Sequence, residues 1–346
     1  MKQIIVLLSF ILVNIGCKKP FSQSPETALA LPLEKKPTNG SVVFIAGFDE
    51  GTNAYYTKAK QYFEGQGIQV IDSLFSLNEI LTYINHQAEN RIHFDEIHIV
   101  SHSNAWLGMS LKTIRNGERI TLKTLQKTRA ENQIKDVQNG ITNDTKIIFH
   151  SCGLGENQAL LQELKDTFTT TKAPKVYAST FFNVFGGKFA GHYLAKPYYT
   201  FYPTAESKGP AHLAKEFKST YPQTQIDWFT AIKTRRETSL GEAYSFKFNI
   251  PVNWEFKFDN FSDIPVLKDK DAIMDWVSES QEMAEVLFEL NIPIEKYRWK
   301  TEVRGRKLMI KGKTTVLCVL APILQDRGKG EYQKPRVEDP NLYQIL

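Results

Sequence analysis

The chain has 346 residues, 42% of them hydrophobic and 23% charged, and its formal net charge is +5 at pH 7. These proportions are typical of a globular protein. The small basic excess is spread along the chain and gives no reason to expect nucleic acid as a partner. The length favours a main domain with a smaller one attached, and a single domain with a long tail is the alternative.

The N-terminus carries a localisation signal. Lys2 precedes an apolar stretch from Ile4 to Ile15 that is too short to span a membrane and fits a secretory signal segment. The stretch ends in Gly16-Cys17, which resembles the lipobox of bacterial lipoproteins, although Asn14 departs from the aliphatic residue preferred there. The resemblance implies a signal segment over residues 1–17, lipidation of Cys17 and anchoring to a membrane of the bacterial cell envelope, facing the periplasm or the surface. A plain signal peptide or uncleaved anchor with an incidental cysteine is the alternative.

Residues 18–40, rich in Pro, Ser, Thr and Lys, predict a flexible tether. From Ser41 onward short apolar runs alternate with helical periodicity, which predicts an α/β domain over residues 41–225, built on a mostly parallel sheet flanked by helices. Ser76 and Glu79 are spaced as a capping box at the start of the second helix. Strands are expected at 42–46, 68–71, 97–100, 146–149 and 175–178, and helices at 53–65, 76–88 and about 156–168.

Two further regions follow a different pattern. Asn116-Gly117 predicts the tight turn of a hairpin between Lys112–Arg115 and Arg119–Leu122. Residues 226–346 predict an α+β region of unknown role. Its expected elements are paired strands within 244–258, one amphipathic helix at 272–290, a hairpin turning at 304–306 and an apolar strand at 314–320.

The candidate chemistry lies at two strand ends. His102 follows the third strand and Cys152 follows the fourth, and the carboxyl ends of parallel strands are where open α/β sheets form their sites. A neighbouring imidazolium or a helix N-terminus lowers the pKa of a thiol, so a reactive Cys152 thiolate is expected. Gly153 and Gly155 suit a tight turn that exposes the sulfur and leaves backbone N–H groups to bind an oxyanion.

These residues carry a family resemblance. The order of strands and helices, a strand ending in His, a hairpin, and then a strand ending in Cys is similar to that of caspase-like (clan CD) cysteine peptidases, which include caspases, legumains, gingipains and the CHAT-type peptidases of bacteria. Residues 116–125 are similar to the CHAT-type hairpin, and 151–155 to its cysteine turn. The histidine lies about 50 residues upstream of the cysteine, as in caspases. The resemblance covers residues 41–187.

The resemblance implies hydrolysis of peptide bonds in a protein or peptide substrate without a cofactor. His102 is expected to be the general base and acid, Cys152 the nucleophile, and the N–H groups of Ser103 and Cys152 the oxyanion donors. The segment after the fifth strand, up to Asn183, is expected to line the substrate groove through Ser179, Thr180 and Phe181. Two departures stand out: Ser103 replaces the usual glycine, and His150-Ser151-Cys152 replaces the caspase tripeptide.

Other interpretations stay open. Ser101–Ala105 has the form of a nucleophile elbow without its glycines, which would make Ser103 the nucleophile of an α/β-hydrolase, although no late Asp and His pair follows His212. Cys152 and Cys318 are the cysteines left to the folded part and could form a disulfide. The fold could also be a catalytically inactive binding module. No nucleotide-binding or zinc motif is present, so neither a cofactor nor a metal is expected.

Overall fold

The computed structural model of the protein describes residues 40–47, 53–325 and 330–346. The expected signal segment, the lipidation site Cys17 and all of the tether before Gly40 lie outside these ranges. None of the described helices has the length and apolar character that a helix needs to cross a membrane.

The described strands, in chain order, are β1 (Ser41–Ile45), β2 (Gln69–Ile71), β3 (Glu96–Val100), β4 (Ser103–Asn104), β5 (Gly108–Lys112), β6 (Arg119–Ile120), β7 (Lys146–His150), β8 (Lys175–Ser179), β9 (Phe182–Phe185), β10 (His192–Pro203), β11 (Tyr244–Lys257), β12 (Arg298–Arg304), β13 (Lys307–Pro322) and β14 (Tyr343–Ile345). The described α-helices are α1 (Ala54–Gly65), α2 (Leu77–Glu89), α3 (Leu122–Ala130), α4 (Gln158–Phe168), α5 (Pro210–Thr220), α6 (Trp228–Lys233), α7 (Lys270–Glu279) and α8 (Gln281–Leu290).

The main sheet has the strand order β14-β8-β7-β3-β1-β2. Its five strands β1, β2, β3, β7 and β8 are parallel, and β14 joins the edge antiparallel to β8. The predicted α/β class with a mostly parallel sheet is therefore confirmed. Both faces of the strands are buried, which explains why the sequence shows continuous apolar runs rather than alternation.

Helices cover both faces of this sheet. Tyr56, Ala59 and Phe63 of α1 pack against Val43 and Val100 on one face. The opposite face is covered by α2, α3 and α4. The caps follow local chemistry: Asn53 caps α1, Ser76 caps α2 as predicted, and Asn157 caps α4.

The insertion after β3 forms a separate sheet with the order β4-β5-β6. The chain turns at Asn116-Gly117 as predicted, but the connection is longer than two residues, with the Thr113 N–H bonded to the Glu118 carbonyl. The predicted strand Lys112–Arg115 is wrong after its first residue, because β5 ends at Lys112. The predicted strand Arg119–Leu122 is wrong at its end, because Thr121 and Thr124 form a capping box and helix α3 begins at Leu122.

A second large sheet has the order β11-β13-β10-β9, with β12 paired to β13. The described residues form two compact units: 199–233 with 245–318, and the main-sheet region up to residue 198 with 234–244 and 319–346. The sequence placed a single boundary after residue 225, whereas the chain passes between the units several times. Two element predictions are wrong: β11 is one strand, and the expected helix at 272–290 is broken at Ser280 into α7 and α8.

Candidate active site

The structure brings His102 and Cys152 to one edge of the main sheet. Strands β3 and β7 are parallel neighbours, and Val100 is paired with His150. His102 and Cys152 each lie two residues beyond this pair, in the segments that follow the two strand ends. Neighbouring strands are about 4.8 Å apart, and side chains alternate between faces. The two residues therefore follow the ends of adjacent strands, where the His102 ring contacts helix α1 and the Cys152 sulfur contacts β9.

The start of α1 surrounds the His102 imidazole. The Tyr55 ring stacks on it with centroids 4.4 Å apart, and the Tyr56 ring meets it edge-on at 4.9 Å. The backbone N–H of His102 donates to the Tyr56 hydroxyl at 3.1 Å. Asn53 Nδ2 lies 2.9 Å from His102 Nε2, while Asn53 Oδ1 accepts the Tyr55 N–H at 3.0 Å. The cap of the helix is therefore also a partner of the imidazole.

Asn53 and Tyr55 were missed as site residues by the sequence analysis. In the sequence these two residues only indicate the start of a helix after β1. Any helix cap gives the same indication, so the sequence does not point to a site there. The Tyr55 hydroxyl donates to the backbone carbonyl of His150 at 2.6 Å, two residues before Cys152. Tyr55 thus contacts the His102 ring and also the strand end that leads to Cys152.

The environment of Cys152 contradicts the expectation of an exposed, acidic thiol. Its side chain is 8% exposed and its Sγ lies 3.8 Å from the backbone carbonyl oxygen of Asn183 in β9. Burial raises the pKa of the Cys152 thiol to about 12, although a backbone hydrogen bond of Asn183 opposes the rise. A 3₁₀ helix at Leu154–Glu156 follows the cysteine, and α4 begins only at Gln158, so Cys152 is not at the start of an α-helix. Cys152 and Cys318 form no disulfide.

The turn after the cysteine has the glycine geometry expected from the sequence. Gly153 is left-handed, with φ of 67°, and its N–H donates to the Phe181 carbonyl at 3.1 Å. A Cβ on Gly155 would lie 2.4 Å from the Ala178 carbonyl oxygen, so the turn approaches β8 too closely for a side chain. The turn is tight as expected, but the sulfur is covered.

The structure also shows the surroundings of Ser103, the expected oxyanion donor, and of the three expected groove residues. The Ser110 N–H donates to the His102 carbonyl at 2.7 Å, so the next pair, Ser103 with Met109, is a non-hydrogen-bonded one and the Ser103 N–H is directed away from β5. Ser179 is fully buried, and its hydroxyl donates to the Leu342 carbonyl at 2.9 Å. Thr180 and Phe181 are half-buried.

Three buried histidines lie on the face that α1 covers. His98 Nδ1 is 3.0 Å from His150 Nε2 with the rings stacked, and His192 Nε2 is 3.0 Å from Asn183 Oδ1. Burial lowers the pKa of His192 to about 3 and holds the pKa of His150 well below the ordinary 6.5. Both rings are therefore neutral at neutral pH. In the described part of the chain, no cluster of three or more His, Cys, Asp or Glu side chains is arranged to hold a metal ion.

No family model, curated protein or solved structure matches this chain. Its function is therefore inferred from the residues at this sheet edge.

The surroundings of Ser103 disfavour the serine alternative. A nucleophile elbow places its serine between a strand and a long helix. Here Ser103 begins β4, which pairs with β5, and the Ser103 side chain is 8% exposed. The helix that an α/β-hydrolase requires at this point is replaced by a small antiparallel sheet.

Proposed function

We propose that this protein hydrolyses peptide bonds as a caspase-like cysteine peptidase, with Cys152 as nucleophile and His102 as general base and acid. The observation that carries the proposal is the register of β3 and β7, which pairs Val100 with His150, so that His102 and Cys152 follow the ends of adjacent strands by the same number of residues. A thiol and an imidazole at one sheet edge are the minimum machinery of cysteine acyl transfer.

In the proposed reaction, Asn53 Nδ2 gives up its contact with His102 Nε2, and this nitrogen takes the proton of the Cys152 thiol as the sulfur attacks the scissile carbonyl carbon. The backbone N–H groups of Ser103 and Cys152 stabilise the oxyanion. His102 then donates its proton to the leaving amine, and a water activated by the same imidazole hydrolyses the thioester. These proposed reaction steps use no cofactor and no metal ion.

The edge of β9 supports a peptide as substrate. β9 is the last strand of its sheet, and Asn183 pairs with Leu194 on its inner side. The carbonyls of Phe181 and Asn183 face the Cys152–Gly153 turn. An extended peptide that pairs with this edge would bring its scissile bond to Cys152. Thr180 and Phe181 would then line the groove, and the buried Ser179 would support it from behind.

The N-terminal sequence supports a location for this activity. The Gly16-Cys17 motif after an apolar stretch favours a lipid anchor at Cys17 in the bacterial cell envelope. The proposed substrate is therefore a protein or peptide outside the cytoplasm. Intact-mass measurement of the membrane-extracted protein tests the anchor, since acylated and unmodified N-termini differ by the mass of the acyl chains.

A second candidate, a catalytically inactive binding module on the same fold, is favoured by the buried state of the thiol. A cysteine that is 8% exposed and whose pKa is raised to about 12 has almost no thiolate at neutral pH. In that case the β9 edge would bind an extended peptide without cleaving it.

A peptide carrying a thiol-reactive electrophile, such as a peptidyl acyloxymethyl ketone, distinguishes these functions. The peptidase predicts labelling that Cys152→Ala abolishes and His102→Ala reduces at least 100-fold. Ser103→Ala keeps most of the labelling, and His93→Ala, at an exposed position before β3, is the matched histidine control. Labelling that persists in Cys152→Ala contradicts the assignment, and no labelling of any variant supports the binding module.

A further inference from the structure

We propose that the β9–β10 hairpin is a latch over the Cys152 side chain, fastened by the Asn183–His192 hydrogen bond, and that the thiol reacts only in the fraction of molecules in which the edge of β9 has opened at Asn183. The inference deepens the proposed function and rests on it, because covering a thiol regulates the protein only if that thiol reacts.

The backbone carbonyl of Asn183 is directed away from β10 and toward Cys152. The Gly186 N–H donates to the Gly191 carbonyl at 2.8 Å, which makes the pair at the end of the hairpin hydrogen-bonded. Hydrogen-bonded and non-hydrogen-bonded pairs alternate along an antiparallel ladder, so the Asn183–Leu194 pair is non-hydrogen-bonded. The Asn183 carbonyl is thus directed away from β10, where it accepts from the Cys152 Sγ at 3.8 Å.

A second bond fastens the same edge. The Gly153 N–H donates to the Phe181 carbonyl at 3.1 Å, and a Cβ on Gly153 would lie 3.4 Å from the Phe182 ring. The turn that carries the nucleophile is therefore held to the edge of β9 on both sides of the thiol. A substrate peptide that pairs with this edge has to compete for the same carbonyls.

The side chain of Asn183 clamps the hairpin from inside. It is 3% exposed, and its Oδ1 lies 3.0 Å from His192 Nε2. The His192 ring also stacks on Phe185 with centroids 4.1 Å apart. The Asn183 side chain also lies beside His150, but its buried Nδ2 makes no hydrogen bond of full geometry among the described residues. An unmet buried donor costs free energy in the closed state, which lowers the cost of opening.

The tip of the hairpin is tethered separately. The backbone N–H of Lys188 donates to the Glu237 carboxylate, and Lys188 Nζ donates to the Thr238 carbonyl at 2.9 Å. These contacts belong to the same compact unit as the site. Because the tip is held, movement at Asn183 requires loss of the His192 clamp rather than displacement of the whole hairpin.

The experiment measures alkylation of the full-length chain by iodoacetamide at pH 8, with Cys152 and Cys318 quantified separately by peptide mass spectrometry. Cys318 is fully buried in β13, a strand whose residues belong to both compact units, so its alkylation requires unfolding of this shared strand. His192→Phe keeps an aromatic ring against Phe185 but removes the hydrogen bond to Asn183. The latch predicts that His192→Phe and Asn183→Ala raise the Cys152 rate at least 10-fold without changing the Cys318 rate. An unchanged Cys152 rate overturns the proposal.

A measurement on the unaltered protein keeps the test decisive if a variant unfolds. Local opening exposes little surface, so the Cys152 rate should stay nearly constant in low urea while the Cys318 rate rises steeply. Equal urea dependence of the two rates overturns the latch. Iodoacetamide needs no general base, so the 10-fold increase in the Cys152 rate should persist when His102→Ala is combined with either latch variant. The iodoacetamide rate therefore tests the latch, whereas labelling by the peptide probe tests the peptidase proposal.

Discussion

The side-chain amide of Asn53 caps helix α1 through its oxygen and contacts the His102 imidazole through its nitrogen, 2.9 Å from Nε2. Because the oxygen accepts the Tyr55 N–H, the amide orientation is fixed and Nδ2 is the donor. His102 Nε2 is then an acceptor, and the proton of the neutral ring lies on Nδ1. One residue therefore sets both the start of the helix and the tautomer of the candidate base.

The tautomer is directly testable. ¹⁵N NMR of the histidine ring nitrogens should show His102 protonated at Nδ1 and not at Nε2 at neutral pH. Asn53→Asp keeps the cap, because Asp and Asn are equally good there. It replaces the donor with an acceptor, so Nε2 should become protonated. The exposed His93 is the reference signal, and identical His102 spectra for the two proteins would contradict this role of Asn53.

The buried histidines predict loss of stability in acid. Burial lowers the pKa of His192 to about 3 and also lowers the pKa of His150. Below about pH 6.5 the unfolded chain binds protons at both residues that the folded chain does not bind, so the free energy of unfolding falls as pH falls. Each residue contributes a slope of up to about 1.4 kcal/mol per pH unit.

Urea unfolding at pH 7, 6, 5 and 4 measures this slope. His192→Phe removes one of the two groups, so the variant should lose less stability than the wild type between pH 6 and pH 4. Loss of His192 also removes one cause of the lowered His150 pKa, so the effect on His150 reduces the acid loss of stability in the same direction. Parallel curves for the two proteins would show that His192 is not held neutral by burial.

The parallel strands could be predicted from the sequence, because each is a local apolar run between helix caps or turns. Strand β14 could not be predicted, since Tyr343–Ile345 is three residues long and its partner β8 lies far away in the chain. The capping box at Thr121 was overlooked because the residues before it fit a hairpin strand. The division into two units depends on long strands that only tertiary pairing reveals.

The candidate site was predictable in position and not in environment. The carboxyl ends of adjacent parallel strands set His102 and Cys152 at the same edge of the sheet. The raised pKa of Cys152 comes from its cover by β9, which follows it by about 30 residues and approaches through tertiary packing. Local sequence around the cysteine therefore indicated an acidic thiol where burial produces the opposite.

The ion pair between Glu79 and Arg115 at the start of α2 should respond unequally to removal of its two partners, and loss of Glu79 should cost more stability. Its carboxylate is 5% exposed and accepts from the Phe75 N–H at 2.8 Å, the Ser76 hydroxyl at 3.0 Å and Arg115 Nε at 2.6 Å. Glu79→Ala leaves buried donors without an acceptor and should cost about 2–3 kcal/mol. Arg115→Ala should cost about 1 kcal/mol, because its side chain is largely exposed. Chemical denaturation measures both, with exposed Glu89→Ala as the control, and equal costs for Glu79→Ala and Glu89→Ala would contradict this account.

Gly155→Ala and Gly65→Ala are expected to change the free energy of unfolding in opposite directions. A Cβ at Gly155 would lie 2.4 Å from the Ala178 carbonyl and 2.8 Å from the Ser179 carbonyl carbon, both of them backbone atoms at β8 that a side-chain rotation cannot relieve. Gly65 ends α1 with an ordinary negative φ, and nothing lies within 4 Å of the place that an added methyl group would take. Gly155→Ala should therefore lower the free energy of unfolding by more than about 2 kcal/mol, whereas Gly65→Ala should raise it by about 0.5 kcal/mol through the unfolded state. Thermal and urea unfolding of the two variants check the contrast, and a Gly155→Ala protein as stable as Gly65→Ala would mean that the turn after Cys152 is not pressed against β8.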